Sequence, residues 1–517
     1  MAEFNILQYT DAHGRFLSKL PQDHSIKAKG LDRLSSYIKN LKKKKTEYFL
    51  IDNGDAIQGQ PLVDLWEEPA NWKESLNHPL NLLHQALGVD VFVAGNHEFD
   101  FGIDQLKNIK AHSSLPWLSA NIIETQSSLF QPFHIKEVQG VKIGVLGLIT
   151  EFVPKWEPPR NIKGLVFGNV LESAKHWVPI LRDQCDILII SYHGGFAEDP
   201  NTGKRLCSNI LENQGIELWE TFPEVDILFT GHQHRKFLFQ SPDKAIALQP
   251  AAHGRFWAEI QVQTGSKIHL IPKIISASTH APDPWITDLL SGNMECNQGI
   301  LSEILGTADP SFQVADPMTQ VWTKKHPLIQ WVNELMMEHT NTDIAASSFL
   351  DYELEGLPET VTMQDILTTY FFHDAICVLE INGEILKAAL EQIATFLVLP
   401  AGKQGIKNLE TNPEWTGTRP RSYNYDFFEG IDYELDIRKD FGQRVTKLQY
   451  HGANIENSQK LKVALTTYRA GGGFFKMYGP HLVIEEFPTQ ITELMAANLK
   501  KVGHLKLEIN QNFSIKA

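Results

Sequence analysis

Five short segments carry side chains that bind metal ions, and each directly follows a strand-like apolar run. They read Thr10-Asp11-Ala12-His13, Asp52-Asn53-Gly54-Asp55, Gly95-Asn96-His97-Glu98, Tyr192-His193-Gly194-Gly195 and Gly231-His232-Gln233-His234. Together Asp11, His13, Asp55, Asn96, His193, His232 and His234 offer carboxylate, amide and imidazole donors. Mixed oxygen and nitrogen sets suit Mn, Fe, Zn, Co or Ni, whereas calcium prefers oxygen alone. These seven donors exceed what one tetrahedral zinc takes and suit two metals sharing a bridging carboxylate, with positions left for water and substrate. Two ions about 3.5–4 Å apart clamp the attacking and leaving oxygens of an in-line displacement, which is the chemistry of phosphoester hydrolysis. Any one segment is weak alone, because Asp-x-His and Gly-Asp also occur in ordinary turns. The ordered set, every member at a strand end, carries the inference.

The elements that must position these groups are short apolar runs at 5–10, 48–51, 89–94, 141–149, 186–192 and 225–230. Amphipathic stretches such as 31–42 and 171–182 lie between them. Short buried strands alternating with helices predict an α/β architecture on a layered sheet. In such sheets ligands gather beyond the carboxyl ends of the strands, so five loops from that edge converge on one spot. The proline-rich 154–159 reads as a loop. Near 276–284 the texture turns small and polar, and a second, α+β domain follows. Its signals are helical spacing of Leu328, Trp331, Val332 and Leu335 within 326–339, a helix-like 383–399, and strand-like 375–381, 431–437, 445–450 and 462–467. Segment 402–420 reads as a surface loop. The predicted division is 1–280, a linker or hinge at 281–305, and 306–517.

The 517 residues carry 47 basic and 62 acidic side chains, a net charge of −15. That balance argues against a nucleic-acid polymer as partner, since phosphate tracking needs a basic stripe. The one dense basic run, Lys42 to Lys45, reads as a solvated helix end. At 42% hydrophobic and 21% charged, the chain is neither disordered nor fibrous. Its four cysteines, Cys185, Cys207, Cys296 and Cys377, form no metal-binding or redox spacing and read as free thiols. There is no leader-like start and no apolar run of roughly 18–20 residues. The chain as it stands therefore reads as cytoplasmic and not membrane-bound; a secreted or cell-surface protein whose leader has been removed reads the same. Oligomeric state is not legible.

The order Asp11-x-His13, Gly54-Asp55, Gly95-Asn96-His97-Glu98, His193 and Gly231-His232-x-His234 resembles the calcineurin-like metallophosphoesterase family. The longer forms Asp52-Asn53-Gly54-Asp55 and Gly95-Asn96-His97-Glu98-Phe99-Asp100 resemble its two-domain 5'-nucleotidase branch. The likeness extends to Tyr423-Asn424-Tyr425-Asp426, with Gly430-Ile431-Asp432-Tyr433 behind it, and to Thr467-Tyr468-Arg469-Ala470-Gly471-Gly472-Gly473-Phe474-Phe475. It implies a four-layer α/β sandwich followed by an α+β 5'-nucleotidase-type domain that recognises a nucleotide and rotates about a hinge near 291–306.

The same resemblance implies two divalent ions drawn from Mn, Zn, Fe, Co and Mg. Asp11, His13, Asp55 and His234 would hold one, and Asp55, Asn96, His193 and His232 the other, with Asp55 bridging. It implies that His97, oriented by Asp100, faces the phosphate and the leaving oxygen, and that the nucleophile is a metal-activated hydroxide. Asn96 would also touch substrate. Tyr425 with Phe474 or Phe475 would sandwich the base, and Gly472 would let backbone approach it. Glu98 would support its loop. Two departures stand out. Segment 345–351 has no arginine, which resembles members acting on 2',3'-cyclic nucleotides and 3'-nucleotides more than those favouring 5'-nucleotides. Pro250-Ala251-Ala252-His253-Gly254 replaces a glycine-richer turn, leaving His253 as a substrate contact or a packing residue. The competing readings are a pyrophosphatase for nucleotide-sugars or dinucleotides and a non-catalytic nucleotide-binding protein.

Overall fold

Strand Glu3–Tyr9 sends Phe4 and Ile6 into one core cluster and Leu7 and Tyr9 into another, as the two-residue period of a strand dictates. Strand Glu47–Asp52 repeats this, with Phe49 and Ile51 on one face and Leu50 on the other. In a second sheet, Ile143, Val145, Ile187 and Ile189 join the cluster of Phe4 and Phe49, while Leu146, Leu148, Leu188 and Ile190 face away. The computed structural model thus stacks two sheets on a shared apolar layer. It describes residues 3–517 apart from 21–25, 66–76, 125–128, 201, 204, 207–210, 242–243, 373–374, 417–421 and 473–476.

The chain divides into two compact units, Met1–Gly299 and Ile300–Ala517. In the first unit one sheet runs Ile268–Ser276, Phe256–Thr264, Glu3–Tyr9, Glu47–Asp52, Val91–Val93, Trp117–Leu118. The last four of these are parallel. The other runs Lys236–Ser241, Lys244–Pro250, Ile227–Thr230, Ile187–His193, Val141–Ile149, Phe133–Val138, parallel through its middle four. Helices Leu31–Lys43, Pro79–Leu87 and Ile103–Ala111 cover the outer face of the first sheet, and Val170–Arg182 and Gly215–Thr221 that of the second. Helix, sheet, sheet, helix gives the four expected layers. Each fully buried Leu, Ile or Phe in them stabilises the fold by about 1.5–3 kcal/mol. Helix Leu31–Lys43 ends in exposed Lys42 and Lys43, where cations complement the carboxyl end of a helix.

The second unit centres on a five-stranded sheet ordered Asp426–Glu429, Ile344–Ser348, Lys460–Thr466, Ala375–Asn382, Val483–Gln490. Helix Pro327–Thr340 shares its core, and a four-stranded sheet built on Asp432–Asp436 and Val445–Tyr450 adjoins it in sequence. This is the expected α+β domain, with local corrections. The helix-like 383–399 is helix only over Gly383–Ile393, and Leu397–Val398 is a strand. That strand pairs with Glu410–Thr411, so 402–420 is not a plain surface loop, and Trp415 within it is 2% exposed. Residues 281–305, read as a linker, contain helix Pro284–Leu301. Asn293 and Asn297 on that helix donate to the carbonyls of Asn77 and Pro61. The proline-rich stretch also contains a short helix, Val153–Trp156, which accepts Pro154 in its first turn.

One buried histidine in the second unit sets an acid limit. His326 caps helix Pro327–Thr340 by accepting the Leu328 N–H at Nδ1 (3.2 Å). Burial lowers its pKa from 6.5 to about 4. The unfolded chain therefore takes up this proton before the folded one does. Its contribution to stability is complete above pH 6.5 and lost as pH falls towards 4. His326→Asn keeps a capping acceptor and removes the titration. Urea unfolding should then show an acid loss smaller by about 3 kcal/mol at pH 4 than in the parent chain.

Candidate metal centre

Every sequence-identified donor of the first unit leaves the carboxyl end of a parallel strand. Asp11 and His13 follow Glu3–Tyr9, Asp55 follows Glu47–Asp52, and Asn96 opens the turn Asn96–Phe99 after Val91–Val93. His193 ends Ile187–His193, while His232 and His234 follow Ile227–Thr230. Both sheets contribute, so the donors meet at one end of the sandwich. Backbone strain marks the same place. Asp11, His13, Asp55, His232 and His234 have φ of 51°, 47°, 56°, 67° and 54°. Left-handed backbone costs a non-glycine residue about 1–3 kcal/mol and clusters where function demands it. Gly54 (φ 83°) makes the turn possible, since a Cβ there would lie 2.3 Å from the Gly95 nitrogen.

Hydrogen bonds tie the loops together. The Asp11 and His13 N–H groups donate to the carbonyls of Gly54 and Asp55 (both 2.8 Å). Glu98 accepts from the N–H groups of Gly95 (2.6 Å), Ala56 (2.7 Å) and Asp55 (2.8 Å), so it fastens two loops at once. Burial lifts its pKa to about 7. The His232 N–H donates to both carboxylate oxygens of Asp11 (3.0 and 3.1 Å).

The donors fall into two groups, Asp11–His13–His234 and Asp55–His193–His232, each with its ligand atoms within 4.8 Å of one another. Asp55 Oδ2 lies 3.0 Å from His193 Nε2 and 3.9 Å from His13 Nε2, within reach of both groups. Asn96 Oδ1 lies 2.8 Å from His232 Nδ1. The fit to cations rests on how the imidazoles are held. His13 Nδ1 is engaged by the carbonyl and side-chain oxygens of Gln58 (both 3.2 Å), and His193 Nδ1 by the Asn53 carbonyl. Their protons are thereby fixed on the outer nitrogens. His13 Nε2 then faces His234 Nε2 at 3.0 Å, and buried His193 Nε2 faces Asp55 Oδ2 at 3.0 Å without an aligned hydrogen bond. Bare lone pairs converging on carboxylates are what a divalent cation requires.

Burial opposes charge on His193, yet Asp55 and Asp11 raise its pKa to about 9, so protons and cations compete for this ring. Burial raises the Asp55 pKa, but His193 and His97 outweigh it and hold the carboxyl well below the usual range. Asp11 is lowered likewise, with His234 overcoming burial. Burial and His234 push His13 down to about 4, favouring the neutral ring that ligates. His97 lies at the open side, its side chain 27% exposed, with Nδ1 2.9 Å from Asp100 Oδ2. Burial opposes its charge, yet Asp100 and Asp55 hold its pKa well above the ordinary value. His253 stands 5.5 Å from the His13 ring and 5.6 Å from that of His234, and its N–H donates to the Asp11 carbonyl (2.8 Å). It therefore packs against the first group of donors. Trp156, stacked on His232 (5.3 Å, 28°), was not singled out from sequence. It lies in the proline-rich stretch, away from every strand end.

The second unit corrects one expectation. Tyr425 is 1% exposed, stacks on Phe396 (4.5 Å, 25°) and donates its hydroxyl to the Trp322 carbonyl (3.1 Å), so it is core and offers no face to a base. Phe427 and Phe428 are core as well. Phe474 and Phe475 lie outside the described residues. Gly472 is buried, with φ 115°. Tyr423 is only half-buried and forms, with Phe372 and Tyr468 (each 6.2 Å away), the aromatic group of that region. Asp426 pairs with buried Arg469, which also donates to Asn424 Oδ1 (2.9 Å).

Two sheets back to back, with paired donor groups at their carboxyl ends, define a metal-dependent phosphoesterase domain. Residues 4–236 match the family model of calcineurin-like phosphoesterases, and 305–479 match that of the 5'-nucleotidase C-terminal domain. The chain belongs to the calcineurin-like metallophosphoesterases that carry a 5'-nucleotidase C-terminal domain. It is 24% identical, over 99% of its length and 89% of the relative's, to a Salmonella typhimurium protein named 2',3'-cyclic-nucleotide 2'-phosphodiesterase/3'-nucleotidase. A Vibrio cholerae 5'-nucleotidase is 28% identical but matches only 47% of this chain and 42% of its own length. A Staphylococcus aureus structure named "Putative 5'-Nucleotidase", solved with alpha-ketoglutarate, has the same fold, with a TM-score of 0.87 at 24% identity over 100% of both chains. Among the described residues no helix is long and apolar enough to cross a membrane.

Proposed function

We propose that the protein hydrolyses nucleotide phosphoesters, opening 2',3'-cyclic nucleotides and removing phosphate from 3'-nucleotides. The observation that carries this reading is Asp55 placed between two donor groups, with His97 beside it on the open side. Asp11, His13, Asp55, Asn96, His193, His232 and His234 would hold two divalent cations, which when bound would supply an activated water and offset charge on the phosphoryl oxygens. The chain's own part is positioning and proton control. Asp55 sets the spacing of the two groups. His97, kept protonated by Asp100, donates its proton to the oxygen that leaves phosphorus, which is O2' when the cyclic diester opens. The product is then a 3'-phosphate, itself a substrate for a second hydrolysis at the same centre.

Two features favour this regiochemistry over 5'-nucleotides. By sequence, the relative with the cyclic activity in its name matches 99% of the chain and the Vibrio cholerae 5'-nucleotidase 47%; the Staphylococcus aureus structure, which bears a 5'-nucleotidase name, shares the fold throughout and does not separate the two. Residues 345–351 also lack an arginine to hold a 5'-phosphate. For the base, Tyr423 with Phe372 and Tyr468 is the better platform, since stacking on an exposed ring is worth about 1–3 kcal/mol whatever the base. The test is phosphate release from 5'-AMP, 3'-AMP, 2',3'-cyclic AMP and UDP-glucose by stripped protein resupplied with Mn2+, Mg2+, Zn2+ or Co2+. A coupled phosphatase reports diester opening. Preference for the cyclic and 3' substrates supports the reading; sugar phosphate released fastest from UDP-glucose replaces it with the pyrophosphatase.

A further inference from the structure

His232, itself partly exposed, is held differently from the buried histidines of the centre. His13 and His193 turn Nε2 inwards and rest Nδ1 on backbone carbonyls, those of Gln58 and Asn53. His232 turns Nδ1 inwards, 2.8 Å from Asn96 Oδ1, so its outer nitrogen is Nε2. That nitrogen lies 3.2 Å from the side chain of Glu212. Glu212 is not at a strand end and has no place in the ligand set.

The structure fixes Glu212 where it is. Its carbonyl accepts from Thr150 Oγ1 (2.9 Å) and from the Tyr192 hydroxyl (3.2 Å). The next side chain, Asn213, accepts the Gly195 N–H through Oδ1 (2.9 Å). Thr150, Tyr192 and Gly195 all belong to the strand ends around His193, so this loop is bolted to the frame that carries the ligands. Trp156 stacks on the His232 ring and limits its rotation. Both ring nitrogens face acceptors, Asn96 Oδ1 at 2.8 Å and Glu212 at 3.2 Å, and the charged carboxylate, the stronger acceptor, draws the ring proton to Nε2 and leaves the Nδ1 lone pair for a cation. Without that acceptor, the proton is free to sit on Nδ1 and block ligation.

We propose that Glu212 is a positioning residue that holds His232 in its Nδ1-ligating tautomer and so sets the affinity of the second metal position, that of Asp55, Asn96, His193 and His232. The inference rests on the two-metal reading above. It is tested by calorimetric titration of the stripped full-length protein with Mn2+, for the parent, Glu212→Gln and Glu212→Leu, with a thermal melt of each. The parent should bind two equivalents. Glu212→Leu should lose about 10–100-fold in affinity at one position and keep the other. Glu212→Gln, which still offers an acceptor oxygen, should stay within about three-fold of the parent, the conservative rescue the tautomer argument requires. It also keeps the test open if the leucine variant does not fold. Parent-like affinity at both positions in Glu212→Leu overturns the proposal and leaves the two-metal reading intact. A glutamine variant as weak as the leucine one overturns it in favour of bare charge. A parent that binds fewer than two equivalents removes the two-metal reading itself.

Discussion

Asp55→Asn should abolish turnover, by a factor of at least about 10³, and should do so by emptying the centre rather than by unfolding the chain. Asp55 is 1% exposed, and its Oδ2 reaches both donor groups, 3.0 Å from His193 and 3.9 Å from His13. Its charge is what makes adjacent cations tolerable to one another. At about 4 Å and an effective dielectric near 20, one unit-charge pair is worth roughly 4 kcal/mol, and a bridging carboxylate faces two divalent ions. Asparagine keeps the shape and tolerates the left-handed backbone that Asp55 adopts at φ 56°. It removes the charge and turns one of the two acceptor oxygens into an amide NH2. Metal analysis of the dialysed variant should therefore find less than one ion per chain, while its melt in chelator stays within a few degrees of the parent's. Full metal content would show that Asp55 does not bridge.

The second large effect is at His97. Its alanine variant should retain the parent's metal content and lose about 10²–10⁴-fold in kcat on 2',3'-cyclic AMP, the range general acids contribute. KM should change little, since the loss falls on proton transfer to the leaving oxygen. The diagnostic is the leaving group. A p-nitrophenyl ester departs as a stable phenolate without needing a proton, so the variant should be far less impaired on it. Equal losses on both substrates would assign His97 to phosphate binding instead. Asp100→Asn should show a smaller loss of the same pattern, because the Asp100 carboxylate, 2.9 Å from Nδ1, keeps the ring charged.

The metal centre was legible because its chemistry is local in sequence. Asp11, His13, Asp55, Asn96, His193, His232 and His234 each sit within a few residues of an apolar run, and the geometry of parallel strands brings such ends together. Glu98 was legible as a loop support for the same reason. Glu212 and Trp156 were not, because they reach His232 from a loop and from the short helix Val153–Trp156, whose positions depend on tertiary packing. Tyr425 was misread because an aromatic-rich stretch does not reveal which ring turns inward; strand pairing and Phe396 decide that. The 402–420 segment was misread because its glycines, lysines and prolines conceal the buried side chains, Leu409, Asn412 and Trp415, that anchor it. The helix within 281–305 was read as a linker although Ile286, Leu290 and Met294 recur at helical spacing and pack into the core, because Pro284 and the polar residues between them masked the pattern; Asn293 and Asn297 add hydrogen bonds.

The central claim is that turnover needs two cations on the Asp55-bridged donor set. The most direct measurement is a titration of stripped protein with Mn2+ in which bound metal and opening of 2',3'-cyclic AMP are followed together. The account predicts no turnover in chelator, little with the first equivalent bound, and a rise that tracks the second. Full turnover with one equivalent, or with none, would contradict it.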